Sequence, residues 1–175
     1  MSVNIKSVAC FGAGTIGHSW ATLFAVKGYN VTVYDVNHKI LKTAMERVKF
    51  SADFLAEKGL IAKEDVEGVL NRINTTTDMK ECVKEADYIQ ESVSENYSIK
   101  QEVFSAIDRI NDTAIIASST SGLLMTKIQK ATKKPERCIV AHPWNPPLLL
   151  KLVELVPGKK HPRKLFKLLI ISWRS

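Results

Sequence analysis

Cysteine is scarce in this sequence, and Cys10, Cys82 and Cys138 are odd in number and widely separated. That excludes a disulfide framework and a cysteine-based metal motif, and it predicts free thiols in a reducing compartment. Long apolar runs are missing too: none approaches the roughly 18 residues a membrane-spanning helix needs. The early run Val8 to Phe11 stops at a glycine after a single lysine, which does not make a signal peptide. A cytoplasmic protein with no membrane span is the expectation. There is no internal repeat and no low-complexity linker. Charge is unevenly placed: six of the 25 bases and none of the 18 acids lie beyond Gly158. The net charge of +7 therefore belongs to that tail, and the nearly neutral body argues against a nucleic-acid partner. At 175 residues the chain suits one domain with a real core. The composition break divides it into a domain over 1–158 and a basic, apolar tail over 159–175.

Within the body, short apolar runs alternate with stretches of helical period. Val8 to Phe11 reads as a buried strand. Thr15 to Lys27 has Ile16, Trp20, Leu23 and Phe24 at helical spacing, with Gly28 placed to end the helix. Val31 to Tyr34 is a second strand. His38 to Lys58 is helical, with Ile40, Leu41, Ala44, Val48 and Phe54–Leu55 on one side, and a further helix follows from about Lys63 to Leu70. Strands are expected at Ile73 to Thr75, Tyr88–Ile89, Ala114 to Ala117, Cys138 to Ala141 and Leu150 to Val156. Asn96 is placed to cap a helix whose inner face is Ile99, Val103, Phe104 and Ile107. This alternation predicts an α/β fold: a single Rossmann-type domain, doubly wound on a mainly parallel sheet, with a helical pair inserted after the second strand.

Gly12-Ala13-Gly14-Thr15-Ile16-Gly17 fits G-x-G-x-x-G, and its context strengthens the match: a strand precedes it, a helix begins within it, and Asp35 closes the next strand 18 residues after Gly17. Each glycine has a physical reason. Gly12 allows the tight turn, Gly14 lets a pyrophosphate approach backbone N–H groups, and Gly17 lets helix and strand pack closely. The helix start adds partial positive charge. Asp35 can accept from both hydroxyls of a ribose and repels a 2′-phosphate, which favours NAD over NADP. The plainer alternative is a structural strand–turn–helix with a surface aspartate.

A second cluster lies further along. His142-Pro143-Trp144-Asn145-Pro146-Pro147 follows the sixth strand, where open α/β sheets collect ligands. Pro143 biases His142 toward extended backbone, and a histidine so held can act as a general base near neutral pH. Glu154 is a lone carboxylate within Leu152-Val153-Glu154-Leu155-Val156 and needs a partner; an imidazole would serve, with the carboxylate setting its tautomer. Ser118-Ser119-Thr120-Ser121-Gly122 offers hydroxyl donors after the fifth strand. On the residues alone, a loop histidine, a solvent-facing glutamate and a serine-rich helix cap are also open readings.

Taken in order, five motifs resemble one family. The glycine loop with Asp35, Glu91-Ser92-Val93-Ser94-Glu95-Asn96, Ser119-Thr120-Ser121, the His142 loop and Leu152-Val153-Glu154 are similar to the NAD-binding domain of 3-hydroxyacyl-CoA dehydrogenases, over about Lys6 to Gly158. The resemblance implies an NAD-dependent oxidoreductase that oxidises the 3-hydroxyl of an L-3-hydroxyacyl-CoA to a 3-keto group, a step of fatty acid metabolism. It implies His142 as catalytic base, Glu154 as its orienting carboxylate and Ser121 as the serine that hydrogen-bonds the substrate oxygen. Glu95 and Lys100 match residues near the nicotinamide end of NAD, and Asn145 matches the asparagine of the histidine loop.

Departures point to a branch. Pro143-Trp144, the extra Pro147 and the Ile16-Gly17-His18-Ser19-Trp20-Ala21 run look more like λ-crystallin and L-gulonate 3-dehydrogenase than like acyl-CoA members, and Ser119 stands where asparagine is usual. A free 3-hydroxy acid such as L-gulonate is therefore the alternative substrate, and an NAD-binding module without turnover the alternative function. Family members continue into an all-helical C-terminal domain that carries a catalytic asparagine and the dimer interface. That domain is expected to be absent here, so this chain alone is expected to bind NAD with weak turnover or none. A shifted or shortened reading frame after Gly158 and a short interaction segment are the two readings of the tail.

Overall fold

Small and β-branched residues dominate the strands, and in the computed structural model, which describes residues 5–150 and 152–159, they form one seven-stranded sheet. Its members are β1 (Ser7–Phe11), β2 (Asn30–Tyr34), β3 (Ile73–Thr76), β4 (Tyr88–Glu91), β5 (Ile115–Ser118), β6 (Cys138–Pro143) and β7 (Val153–Pro157). They lie in the order β3-β2-β1-β4-β5-β6-β7. All neighbours are parallel except β6 and β7, which are antiparallel. The chain winds outward from β1 to β3 and then returns to β4 on the other side of β1. That reversal leaves a crevice beyond the carboxyl ends of β1 and β4.

Alternation along the strands feeds two cores. Val8 and Cys10 face one side of the sheet, under α1 (Thr15–Val26), α2 (His38–Glu57) and α3 (Asp65–Asn71). Ala9 and Phe11 face the other, under α4 (Met79–Val83), α5 (Tyr97–Ile110) and α6 (Met125–Ile128). Ile89, Ile116 and Ile139 in the central strands are wholly buried, each contributing about 1.5–3 kcal/mol of transfer free energy. Gly28 ends α1 with φ +89°, and the Asn96 side chain caps α5 by accepting the N–H of Ile99 at 3.2 Å. The three cysteines are free and buried.

Two helical faces differ from expectation by one residue. Ile99 is 42% exposed, and Lys100 takes the inward position together with Phe104 and Ile107. Ile40 is likewise exposed, and Leu41, Ala44, Val48, Ala52 and Leu55 line the buried side of α2. The helices α4 and α6, five and four residues long, were not expected, because so short a segment carries no readable period. The last strand begins at Val153, later than the sequence pattern suggested. Apart from Lys159, the predicted tail lies outside the described residues. Among the described residues no helix is long and apolar enough to cross a membrane.

Candidate functional site

The three glycines of the loop meet three different environments. Gly12 has φ +98°, and a Cβ there would stand 2.9 Å from the carbonyl oxygen of Ser92. A Cβ on Gly17 would stand 1.7 Å from the carbonyl oxygen of Gly12. Gly12 is demanded by its positive φ and by the close backbone that follows β4, and Gly17 by the packing of α1 against the end of β1. Gly14 is different: a Cβ there would meet nothing within 4 Å. It is the N-cap of α1 and makes no side-chain capping bond, so the first N–H groups of the helix face open space with their partial positive charge. Ala13 is buried, Ile16 half-buried and Thr15 exposed. Asp35, half-buried at the end of β2, accepts the N–H of Ala13 at 3.0 Å on Oδ2 and the N–H of Asn37 at 3.2 Å on Oδ1. Each oxygen keeps a lone pair for a further donor. An open anion cradle with an acceptor beside it fits NAD: the helix start could take a pyrophosphate and Asp35 ribose hydroxyls.

His142 and Glu154, distant in sequence, pair directly across β6 and β7, so their side chains rise from the same face. Glu154 Oε2 lies 2.9 Å from His142 Nδ1. On the other side of the ring, Nε2 lies 3.1 Å from Ser121 Oγ. A carboxylate only accepts, which places the proton of the neutral ring on Nδ1 and leaves Nε2 a lone pair. The Ser121 hydroxyl then donates to Nε2. The imidazole is largely covered at 28% exposed, whereas Glu154 is open at 53%. His142, Glu154 and Ser121 thus form one hydrogen-bonded chain, with the basic nitrogen facing the serine-bearing loop.

That loop is held by a carboxylate. Glu95 accepts the Thr120 hydroxyl, the N–H of Ser121 at 3.1 Å and the N–H of Gly122 at 3.2 Å. Partial burial pushes the Glu95 carboxyl up, but these donors and the Lys100 ammonium outweigh it and hold the group below the usual carboxylate range. Lys100 Nζ stands 3.6 Å from Glu95 and 2.7 Å from Glu91. Glu91 also accepts the Ser118 hydroxyl at 2.6 Å and the N–H of Val93 at 2.7 Å. Burial raises the pKa of Glu91, against the pull of Lys100, Ser118 and Val93. Lys100 thus lies beneath the site, gripping the two carboxylates, rather than at its surface. Asn145 is exposed in the loop after β6, and no hydrogen bond among the described residues ties its side chain to the His142 cluster.

The sequence places Glu91 and Thr120 within motifs but assigns neither an individual role, and both carry this support. Their signal was present: a run of polar residues, Gln90-Glu91-Ser92, at the end of a strand buried on both faces. Among the described residues no group of three or more His, Cys, Asp or Glu side chains could hold a metal ion.

The sequence profile described as "3-hydroxyacyl-CoA dehydrogenase, NAD binding domain" matches residues 7–171. The human lambda-crystallin homolog is 39% identical over 157 residues, which are 89% of this chain and 48% of that protein. The L-carnitine dehydrogenase of Oceanobacillus iheyensis is also 39% identical, over 89% of this chain and 50% of its own length. The chain therefore spans about half the length of the curated relatives it matches. Among solved structures, the (S)-3-hydroxybutyryl-CoA dehydrogenase of Ralstonia eutropha superposes with a TM-score of 0.92 at 31% identity, covering 98% of this chain and 60% of its own.

Proposed function

Because this chain belongs to the 3-hydroxyacyl-CoA dehydrogenase family and carries its NAD-binding domain, we propose that it provides the cofactor site and the general base for NAD-dependent oxidation of a 3-hydroxy substrate to the 3-keto product. The observation that carries this reading is the chain Ser121–His142–Glu154, with its distances of 3.1 and 2.9 Å. NAD, when bound, supplies the acceptor for the hydride that leaves the substrate's C3. The residues of this chain do the rest. Backbone N–H groups of the loop Gly12 to Gly17 hold the pyrophosphate and Asp35 the ribose hydroxyls. The substrate's 3-hydroxyl replaces Ser121 as the donor to His142 Nε2, which takes its proton, Glu154 stabilises the imidazolium that results, and the released Ser121 hydroxyl positions the substrate oxygen. Glu95, braced by Lys100, keeps the Ser121 backbone in place.

For the substrate, a free 3-hydroxy acid is favoured over an acyl-CoA thioester. Relatives bearing the names lambda-crystallin homolog and L-carnitine dehydrogenase share 35–40% identity with the chain, and L-carnitine is itself a free 3-hydroxy acid. The test is NADH formation by a protein carrying this domain, offered L-gulonate, L-carnitine and 3-hydroxybutyryl-CoA in parallel. Turnover of a free acid, reduced about 10²–10⁴-fold by His142→Ala with NAD affinity unchanged, is the expected result. Exclusive use of the thioester would reverse the substrate reading. NAD binding without turnover of any 3-hydroxy substrate would leave a cofactor-binding module in its place.

A further inference from the structure

Behind the crevice, a string of side chains fixes the direction of one hydroxyl proton that the chemistry above does not use. Gln90 is wholly buried, and one atom of its amide faces the carbonyl oxygen of Ala141 at 3.2 Å. A carbonyl only accepts, so that atom is Nε2, and Oε1 is left to take the Tyr88 hydroxyl at 2.6 Å. The second proton on Nε2 goes to Ser119 Oγ at 2.8 Å. Trp20 Nε1, which can only donate, also reaches Ser119 Oγ, at 3.1 Å. Both lone pairs of that hydroxyl are then occupied, so its single proton goes to its remaining neighbour, Ser92 Oγ, at 2.8 Å. Ser92 therefore accepts from Ser119 and keeps its own proton to give away. Among the described residues no protein acceptor takes it.

The position of Ser92 says where that proton goes. Its Cβ lies 3.8 Å from where a Cβ on Gly17 would stand, and its carbonyl oxygen 2.9 Å from where a Cβ on Gly12 would stand. The side chain is half-buried beside the start of α1. Asp35 closes β2, on one side of β1, and Ser92 follows β4 on the other. With the pyrophosphate at the helix start between them and the adenosine ribose at Asp35, Ser92 borders the far half of the dinucleotide. We propose that Ser92 is a cofactor-binding residue whose hydroxyl donates a hydrogen bond to the nicotinamide riboside of NAD, and that Ser119 positions it by supplying the bond that sets its direction. This rests on the NAD site described above.

The full 175-residue chain is titrated with NADH by fluorescence and, in competition, with ADP, which keeps both phosphates and lacks the nicotinamide riboside. Ser92→Ala is expected to weaken NADH about three- to tenfold, the worth of one net hydrogen bond, with ADP affinity unchanged and the melting temperature lowered by a few degrees at most. Ser119→Ala is expected to weaken NADH similarly and to add nothing in the Ser92→Ala background. An unchanged NADH affinity in Ser92→Ala overturns the assignment. So does a parallel loss of ADP, which would mark a distorted glycine loop, and so does a full additive loss in the double variant. A wild-type chain that binds neither ligand overturns both this assignment and the NAD site.

Discussion

Glu91 Oε1 and Lys100 Nζ meet 2.7 Å apart, with side chains 0% and 1% exposed. A pair this dry is worth little net against an apolar replacement of both partners, but removing one partner strands a charge. Lys100→Met should therefore lower stability by about 3–5 kcal/mol, a fall in Tm of roughly 10 °C for a chain of this size. Glu91→Gln combined with Lys100→Met should recover part of that loss. Thermal melts of the three proteins check it, and a wild-type Tm for Lys100→Met would contradict the buried pairing.

That pair also shows what the sequence could and could not reveal. The glycine loop was legible because its demands are local: strand, turn and helix start lie within a few residues, and Asp35 follows at the next strand end. The inner face of α5 was misplaced by one residue because an apolar pattern assigns Ile99 inward and lysine outward. Only the arrival of Glu91 from β4, beneath the helix, makes Lys100 the better buried residue. The meeting of His142 with Glu154 was foreseen as a need for a partner, yet it is the antiparallel register of β6 and β7 that brings the two together. The supporting carboxylates and hydroxyls come from separate strand ends, and no spacing along the chain encodes their contact.

The glycines divide into two kinds, and substitution should separate them. Gly17→Ala puts a methyl 1.7 Å from the carbonyl oxygen of Gly12, so the strand–helix contact must open. A loss of about 1–3 kcal/mol is expected, the usual cost of overpacking. Gly14→Ala has open space around it and should melt like wild type, yet lose NADH affinity because the methyl occupies the cradle at the helix start. Melting and NADH titration of both variants check this. Tight NADH binding by Gly14→Ala would mean that the pyrophosphate lies elsewhere.

Glu154→Gln probes the charge behind the imidazole while keeping the size of the side chain. An amide oxygen can still accept from Nδ1, but it gives little stabilisation to an imidazolium. In a protein carrying this domain, turnover of a 3-hydroxy acid should fall by about tenfold or more, yet by less than the roughly 10²–10⁴-fold loss on removing the base. The affinity for NADH should not move, because the glycine loop and Asp35 are untouched. Equal kcat for the variant and wild type would show that Glu154 only orients the ring.

Glu95 ties acid stability to the loop that bears Ser121. Its folded-state pKa lies below the ordinary carboxylate value, since the Thr120, Ser121 and Gly122 donors and Lys100 outweigh its partial burial. The folded state therefore binds this proton less readily than the unfolded chain does. The contribution is present above the unfolded carboxylate pKa and is lost as pH falls through the lowered folded value. Glu95 is 47% exposed, so solvent screening keeps the energy small, and the clearest signature is the shape of the profile. Melting temperature plotted against pH from 7 down to 3 should fall less steeply for Glu95→Gln than for wild type at the acid end, with the variant already less stable at pH 7. The same substitution should loosen the Ser121 backbone and raise KM for the 3-hydroxy substrate. Parallel acid limbs for the two proteins would show that these hydrogen bonds contribute nothing to the linkage.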